Sequence, residues 1–259
     1  MEDGHGQTLI PPPPVRPDVP PGTLPPVTWR WWEAVVVFLI AVVVGGVLAL
    51  PGVAAIDSHN HRLQQVVAQL GAEIGIAGTV LFWLWLLHRR SMRAIGLPND
   101  TGTEIGVGVI GGFAIYAVAV FVIGTIVSIV LREASNRTLH APRQLPAHLT
   151  TAELVLAGIT VILVAPVAEE LFFRGMLFRS LRTRHTFAFA GVVSAICFGA
   201  AHYPGGAWQN ALLLPIVMCF VGYGLARLYE WRGNIVANTV AHATFNVIGF
   251  LIIAFVANH

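Results

Sequence analysis

The chain has 259 residues, of which 56% are hydrophobic and 11% charged, with a formal net charge of +2 at pH 7. That net charge says little about partners, and nothing in the sequence resembles a nucleic-acid footprint. The scarcity of charge excludes an ordinary soluble domain, because several apolar stretches exceed the ~18 residues that cross a hydrocarbon core of roughly 30 Å. The implied fold class is all-α, a polytopic transmembrane helix bundle of about seven spans, or eight.

Residues 1–29 contain nine of the sixteen prolines, among them Pro11 to Pro14. Such a segment forms neither a helix nor a packed core, and it reads as a disordered Pro-rich cytosolic tail. No signal peptide is evident, since the first apolar run begins only near Ala34 and is long enough to span. Residues 30–131 read as N-terminal transmembrane helices, and 150–257 as a second, chemistry-bearing transmembrane unit.

Hydrophobic segments fall at roughly 32–54, 66–87, 105–131, 152–178, 188–203, 209–229 and 234–257. Trp29, Trp31, Trp32, Trp83, Trp85, Trp208 and Trp231 sit at or near segment ends, where an amphipathic ring prefers the membrane interface. Gly71 with Gly75, and Gly108 with Gly112, are GxxxG pairs that let helices approach closely. Cys197 and Cys219 lie in apolar stretches without metal spacing and read as small buried residues.

All 15 basic residues are arginines, and their placement gives an orientation. With the N-terminus in the cytosol, Arg16, Arg30, Arg89, Arg90, Arg93, Arg179, Arg182, Arg184, Arg227 and Arg232 face the cytosol. Arg62, Arg132, Arg137 and Arg143 face the other side, which fits the positive-inside rule. The long loop at about 132–150 is then extracytoplasmic. No internal repeat suggests a transporter built from two halves.

Four places break the apolar pattern with ionisable groups, each costing on the order of 2.5–3.5 kcal/mol at bilayer depth. The first is Pro166-Val-Ala-Glu-Glu-Leu-Phe-Phe-Arg174-Gly, where Pro166 is expected to kink the helix. Glu170 and Arg174 are four apart and share a face. Glu169 lies about 100° round the helix from Glu170, so it is the carboxylate left free for chemistry. The second is Phe198-Gly-Ala-Ala-His202, which ends at Tyr-Pro-Gly-Gly and so puts His202 at a broken helix end. The third is a stripe of Asn234, Asn238, His242 and Asn246, which should face the bundle interior or a water-filled cavity. The fourth is Glu73, alone in the second span, with a structural or pore-lining role and a buried histidine or arginine as its expected partner. Counting at about 1.5 Å per residue from the cytosolic boundaries places Glu169 and His242 roughly 12 Å deep, His202 roughly 20 Å and Asn246 roughly 18 Å.

Glu-Glu-x-x-x-Arg, then Phe-x-x-x-His, then His-x-x-x-Asn, each on a membrane helix and in that order, resembles the CAAX-protease and bacteriocin-processing family of intramembrane proteases (type II CAAX prenyl endopeptidase-like). Arg-Gly-Asn-Ile at 232–235 also looks like the family's pattern. The resemblance covers about residues 150–250; residues 1–130 carry no family motif.

The resemblance implies an intramembrane endopeptidase that hydrolyses a peptide bond near the membrane. It implies that Glu169 and His202 position and activate a water, that His242 and Asn246 stabilise the oxyanion, and that Glu170 and Arg174 support the site. Such a site needs a water, a base and oxyanion donors. Metal use is left open by the residues: Glu169, His202 and His242 would be the ligands of a Zn²⁺ ion, while a glutamate-activated water without metal accounts for the same set. The implied partners are membrane lipid and a membrane-associated peptide or protein substrate, a CAAX-like C-terminus being one class. The implied location is a bacterial plasma membrane with the site open toward the cytosol. The competing reading is a non-catalytic immunity or regulatory membrane protein that uses the same helices as a scaffold.

Overall fold

The computed structural model describes residues 24, 26–88, 92–97, 101–135, 149–205 and 208–257. The greater part of the Pro-rich tail and residues 136–148 of the long loop lie outside them. The described residues form an all-helical protein without strands. Seven helices carry it: α1 (Trp31–Ala55), α2 (His61–Leu86), α3 (Gly102–Ala134), α4 (Thr151–Arg182), α5 (Phe187–Ala201), α6 (Leu213–Arg232) and α7 (Ile235–Ala257). Each apolar segment of the sequence corresponds to one of them. Six are long and apolar enough to cross a membrane, and α5, with 15 residues, is shorter. The chain is an integral membrane protein.

The outer surface is aliphatic and aromatic. Leu39, Val43, Ile110, Phe121 and Leu163 are all more than half exposed, as side chains that face lipid should be. Inside, small residues set the helix spacing. A Cβ added at Gly75 of α2 would stand 2.6 Å from Gly45 Cα of α1, and one at Gly108 of α3 would stand 2.6 Å from the Ala237 carbonyl of α7. Both GxxxG pairs therefore serve close packing, as their spacing indicates.

Side-chain caps fix the helix starts. Asn60 Oδ1 accepts from Leu63 N at the head of α2, and its amide donates to Glu153 Oε1 (2.9 Å). Glu153 closes a capping box with Thr150 at the head of α4, so one polar cluster joins these two starts. At the opposite end of the bundle, Arg232-Gly-Asn-Ile forms the α6–α7 turn. Gly233 adopts the left-handed region (φ 59°), and Asn234 Oδ1 caps α7 by accepting from Val236 N and Ala237 N. Arg232 pairs with Glu104 of α3, and Ile235 N donates to the Gly96 carbonyl.

The tryptophans divide. Trp31, Trp32, Trp85, Trp208 and Trp231 are exposed, but Trp29 is fully buried and donates its indole N–H to the Met176 carbonyl (3.0 Å). Trp83 donates to Glu33 Oε2 (2.9 Å). Those two work as packing and hydrogen-bonding residues instead of interface anchors, because segment 24–30 folds back against α4.

The α1–α2 contact generates a paired test. Gly75→Ala is expected to lower the melting temperature of the detergent-purified protein, by an overpacking penalty of about 1–3 kcal/mol. Gly78→Ala, where an added Cβ meets nothing within 4 Å, should leave it unchanged or raised. Equal melting temperatures for the two variants would refute this account of the packing.

Candidate active site

Helix α4 is not a uniform α-helix. Its acids stand on a short α segment, Ala165–Glu170, between two wide-turn π segments, Thr160–Val164 and Leu171–Phe178. Pro166 stands in the first turn of that segment, the position where its missing N–H is best tolerated. The expected kink is thus accommodated by π geometry, a common device at functional positions.

The most buried element is an ion-pair network centred on Glu170. Arg174 Nη1 donates to Glu170 Oε1 (2.7 Å), and both side chains are completely buried. Asn238 Nδ2 donates to Glu170 Oε2 (2.5 Å), and His242 Nδ1 hydrogen-bonds Glu170 Oε1 (3.0 Å). Arg174 Nη2 donates to the Gly222 carbonyl on α6 (3.0 Å), while the guanidinium lies 4.6 Å from the Phe198 ring centre on α5. Helices α4, α5, α6 and α7 meet at this one carboxylate–guanidinium pair.

That network sets the histidines. A carboxylate held by an arginine and an amide accepts, so His242 Nδ1 carries the proton and a neutral ring presents its bare Nε2. His202 follows the same logic at the end of α5. Its Nδ1 hydrogen-bonds the Phe198 carbonyl (2.8 Å), which only accepts, so Nε2 is again the free nitrogen. Both Nε2 atoms face Glu169 Oε2, at 3.8 Å from His242 and 4.0 Å from His202. Those distances are too long for direct hydrogen bonds, and Glu169 Oε2 is buried without a partner. Three lone-pair-bearing atoms therefore converge on one point.

Glu169 and His202 line a cavity of about 410 Å³, together with Gln69, Asn246, Tyr203 and Phe250 among others. Asn246 Nδ2 donates to the Val161 carbonyl in the first π segment (2.8 Å). An amide has two donor hydrogens, so one remains for the cavity.

The structure thus brings together Glu169, His202 and His242, places Asn246 on the cavity wall, and puts Glu170 and Arg174 beneath them. The polar stripe of α7 divides along its length: Asn234 caps, Asn238 holds Glu170, His242 bridges the two glutamates, and Asn246 meets the cavity. Asn238 is a site-supporting residue whose role sequence spacing did not separate from its neighbours'.

Glu73 has no buried histidine or arginine partner among those found. Its Oε2 is buried and unbonded, and the group it interacts with electrostatically is Glu169. Glu73 and Gln69 are four apart on α2, so one helix face carries both toward the site.

A Zn²⁺ ion would need its ligands closer together than these atoms stand. Ligand atoms about 2.0–2.1 Å from a tetrahedral ion stand about 3.3 Å from each other, nearer than the 3.8 and 4.0 Å found. No group of three or more His, Cys, Asp or Glu among the described residues is gathered to hold a metal ion. A water about 2.8 Å from each atom spans the observed separations without any movement.

The Glu170 network generates a second test. Arg174→Met leaves a buried carboxylate uncompensated and is expected to destabilise the protein by about 3–5 kcal/mol. The double variant Glu170→Gln/Arg174→Met should recover part of that loss in a detergent melting assay. A double variant no more stable than the single one would show that charge compensation is not what the arginine contributes.

The chain is similar to known proteins over part of its length. Residues 151–248 match the family described as "Type II CAAX prenyl endopeptidase Rce1-like". A protein of Escherichia coli described as "Uncharacterized 24.3 kDa protein" is 28% identical over 145 residues, covering 53% of this chain and 61% of its own. The "Putative membrane peptidase YdiL" of Bacillus subtilis (strain 168) is 30% identical over 168 residues, covering 62% of this chain and 63% of its own. The chain therefore spans less than two thirds of the length of these relatives. No solved structure matches significantly. Over residues 151–248, a stretch that holds Glu169, Glu170, Arg174, His202, His242 and Asn246, the chain matches the Rce1-like, type II CAAX prenyl endopeptidase family that its motifs resemble.

Proposed function

We propose that this protein is an intramembrane endopeptidase in which Glu169 activates a water for attack on a peptide carbonyl. The observation that carries this reading is the buried, unpartnered Glu169 Oε2 facing the free Nε2 atoms of His202 and His242. Three acceptors at that spacing call for a species with two O–H donors at their centre, which is a water. The catalytic unit in this reading is 150–257, with α2 of the 30–131 segment supplying Gln69 to the cavity wall.

The chemistry follows from the geometry. The water donates to Glu169 and to one histidine Nε2, which aims its oxygen lone pair into the cavity. Attack forms the C–O bond while the proton passes to Glu169. The remaining Asn246 N–H serves the oxyanion in the low-dielectric site. His242 joins it as a donor when its Nε2 carries a proton taken from solvent, the water then donating to His202, and Glu170 supports that form by holding Nδ1. Collapse breaks the C–N bond as Glu169 returns its proton to the amine nitrogen, giving a carboxylic acid and an amine; the acid's proton then passes to the amine, and the products leave as carboxylate and ammonium.

The test compares membrane-associated peptides from cells that carry the wild type, Glu169→Ala or His202→Ala. Loss of a general base lowers the rate by about 10²–10⁴-fold, so products of the wild type should vanish in both variants while their melting temperatures stay near the parent's. Retained products in Glu169→Ala would sink the proposal. A phenotype without any Glu169-dependent product would favour the non-catalytic, regulatory reading of the same helices. Once a product is known, its formation is expected to survive phenanthroline. Inhibition reversed by added Zn²⁺ would instead assign Glu169, His202 and His242 as ligands.

A further inference from the structure

The direction from which a substrate reaches the site follows from where each helix contributes to the cavity. Successive helices run in opposite senses, so each has one end on the side of the N-terminus and one on the far side. The starts of α1, α3, α5 and α7 and the ends of α2, α4 and α6 share the N-terminal side. The cavity takes its lining from the other ends. Gln69 lies roughly 12 Å from the start of α2, and Ile253 roughly 6 Å from the end of α7, at about 1.5 Å per residue. Leu214 stands in the first turn of α6, and Tyr203 follows the last turn of α5. Tyr203 is 50% exposed and Ile253 37% exposed, whereas Glu169, in the middle of α4, forms the floor.

The N-terminal side is packed shut among the described residues. Directly beneath Glu169 lies the Glu170–Arg174–Asn238–His242 network, almost wholly buried. Below it Tyr229 donates to the Ile95 carbonyl (2.8 Å), and Trp29 donates to Met176, all with side chains buried. Arg184 Nη1 donates to the Trp29 carbonyl and Val27 N donates to Thr183 Oγ1, which fastens segment 24–30 over that end. A peptide approaching from this side would have to break a buried ion pair before meeting Glu169.

We infer that the site receives its substrate from the face opposite the N-terminus, and that the substrate is a membrane-associated peptide segment presented at the extracytoplasmic surface. The arginine distribution identifies that face: among the described residues Arg30, Arg93, Arg179, Arg182, Arg184, Arg227 and Arg232 stand toward the N-terminal side and Arg62 and Arg132 toward the other, which by the positive-inside rule makes the N-terminal side cytosolic. This placement differs from the cytosolic opening expected from sequence, because residue counts along a helix give a depth but do not say on which side of the acids the helices part. The rim supplies the substrate chemistry. Tyr203, Pro204, Leu214, Phe250 and Ile253 are apolar or aromatic, and among the described residues no arginine lines the cavity. An extended apolar stretch leaving the bilayer fits such a mouth, and about 410 Å³ lies within the range of small-molecule sites. The inference rests on the proposed peptidase reading for its substrate, but its geometry stands apart from activity.

The experiment is thiol labelling in intact cells with a charged, membrane-impermeant maleimide. Single cysteines are placed in a Cys197→Ser/Cys219→Ala background, with Tyr203→Cys at the rim and Leu97→Cys on the N-terminal side, where Leu97 is 41% exposed. Ile253→Cys replaces Tyr203→Cys if the latter fails to accumulate. The rim cysteine should react in intact cells, and Leu97→Cys only in inverted membrane vesicles. A rim cysteine that reacts only in inverted vesicles overturns the inference, whatever the protein hydrolyses. A second readout locates the Glu169-dependent peptides, expected outside the cytosol. Products confined to the cytosol would also overturn it, whereas labelling as expected with no Glu169-dependent product anywhere would fail the peptidase reading alone.

Discussion

The structure depends on one carboxylate. Glu170 is an ionisable group inside a membrane helix, where an uncompensated charge is costly, and its neighbours answer that cost from two helices. Arg174 comes from the same helix one turn on; Asn238 and His242 come from α7. Arg174 also reaches Gly222 on α6 and lies over Phe198 on α5. The bundle's C-terminal helices are therefore joined by a polar node in a setting where hydrophobic burial gives little help, since lipid is as apolar as the core. The same node has a chemical consequence. By accepting from His242 Nδ1 it leaves Nε2 bare, and by drawing Glu170 inward it turns Glu169 toward the cavity. Stability and reactivity are two results of one set of hydrogen bonds.

Much of this was legible in sequence because the membrane makes polar residues conspicuous. Glu169, Glu170, Arg174, His202, His242 and Asn246 stand out in apolar helices, and a helix of 3.6 residues per turn already separates Glu169 from the Glu170–Arg174 face. All seven helices were visible as hydrophobic segments for the same reason. Less legible was anything decided by contacts between helices. Asn238 was one member of an i, i+4 stripe, and only the position of Glu170 makes it a ligand of that carboxylate. The π segments around the acids follow from packing and leave no period in the sequence. Trp29 sits where an interface anchor should, yet the chain before α1 turns back and buries it against Met176.

The direction in which the cavity opens is the expectation that sequence supported least. Arginine counts concern the loops, and residue counts along a helix give depth. Neither says where neighbouring helices separate. The separation is set by bulk. On the N-terminal side, Phe178, Tyr229, Met176 and Ile95 fill the space among α4, α6 and the 3₁₀ turn Met92–Ile95. On the other side α5 ends early at Ala201, and among the described residues no helix follows it before the short helix Trp208–Ala211. A helix of 15 residues is too short to span by itself. Its early end is what lets His202 face the cavity from a helix terminus.

Glu73 shows that the site is not confined to the family-matched segment. It stands on α2, outside residues 151–248, yet its electrostatic partner is Glu169. Two close carboxylates with one unbonded oxygen each would be an unreasonable way to stabilise a helix pair. The contact of α1 with α2 is already secured by Gly45, Gly71 and Gly75, so the acid is not needed for packing. Gln69, one turn away on the same face, lines the cavity. The N-terminal helices therefore shape the surroundings of Glu169 as well as anchoring the bundle, and sequence motifs restricted to the C-terminal half describe its reactive centre without describing the wall that surrounds it.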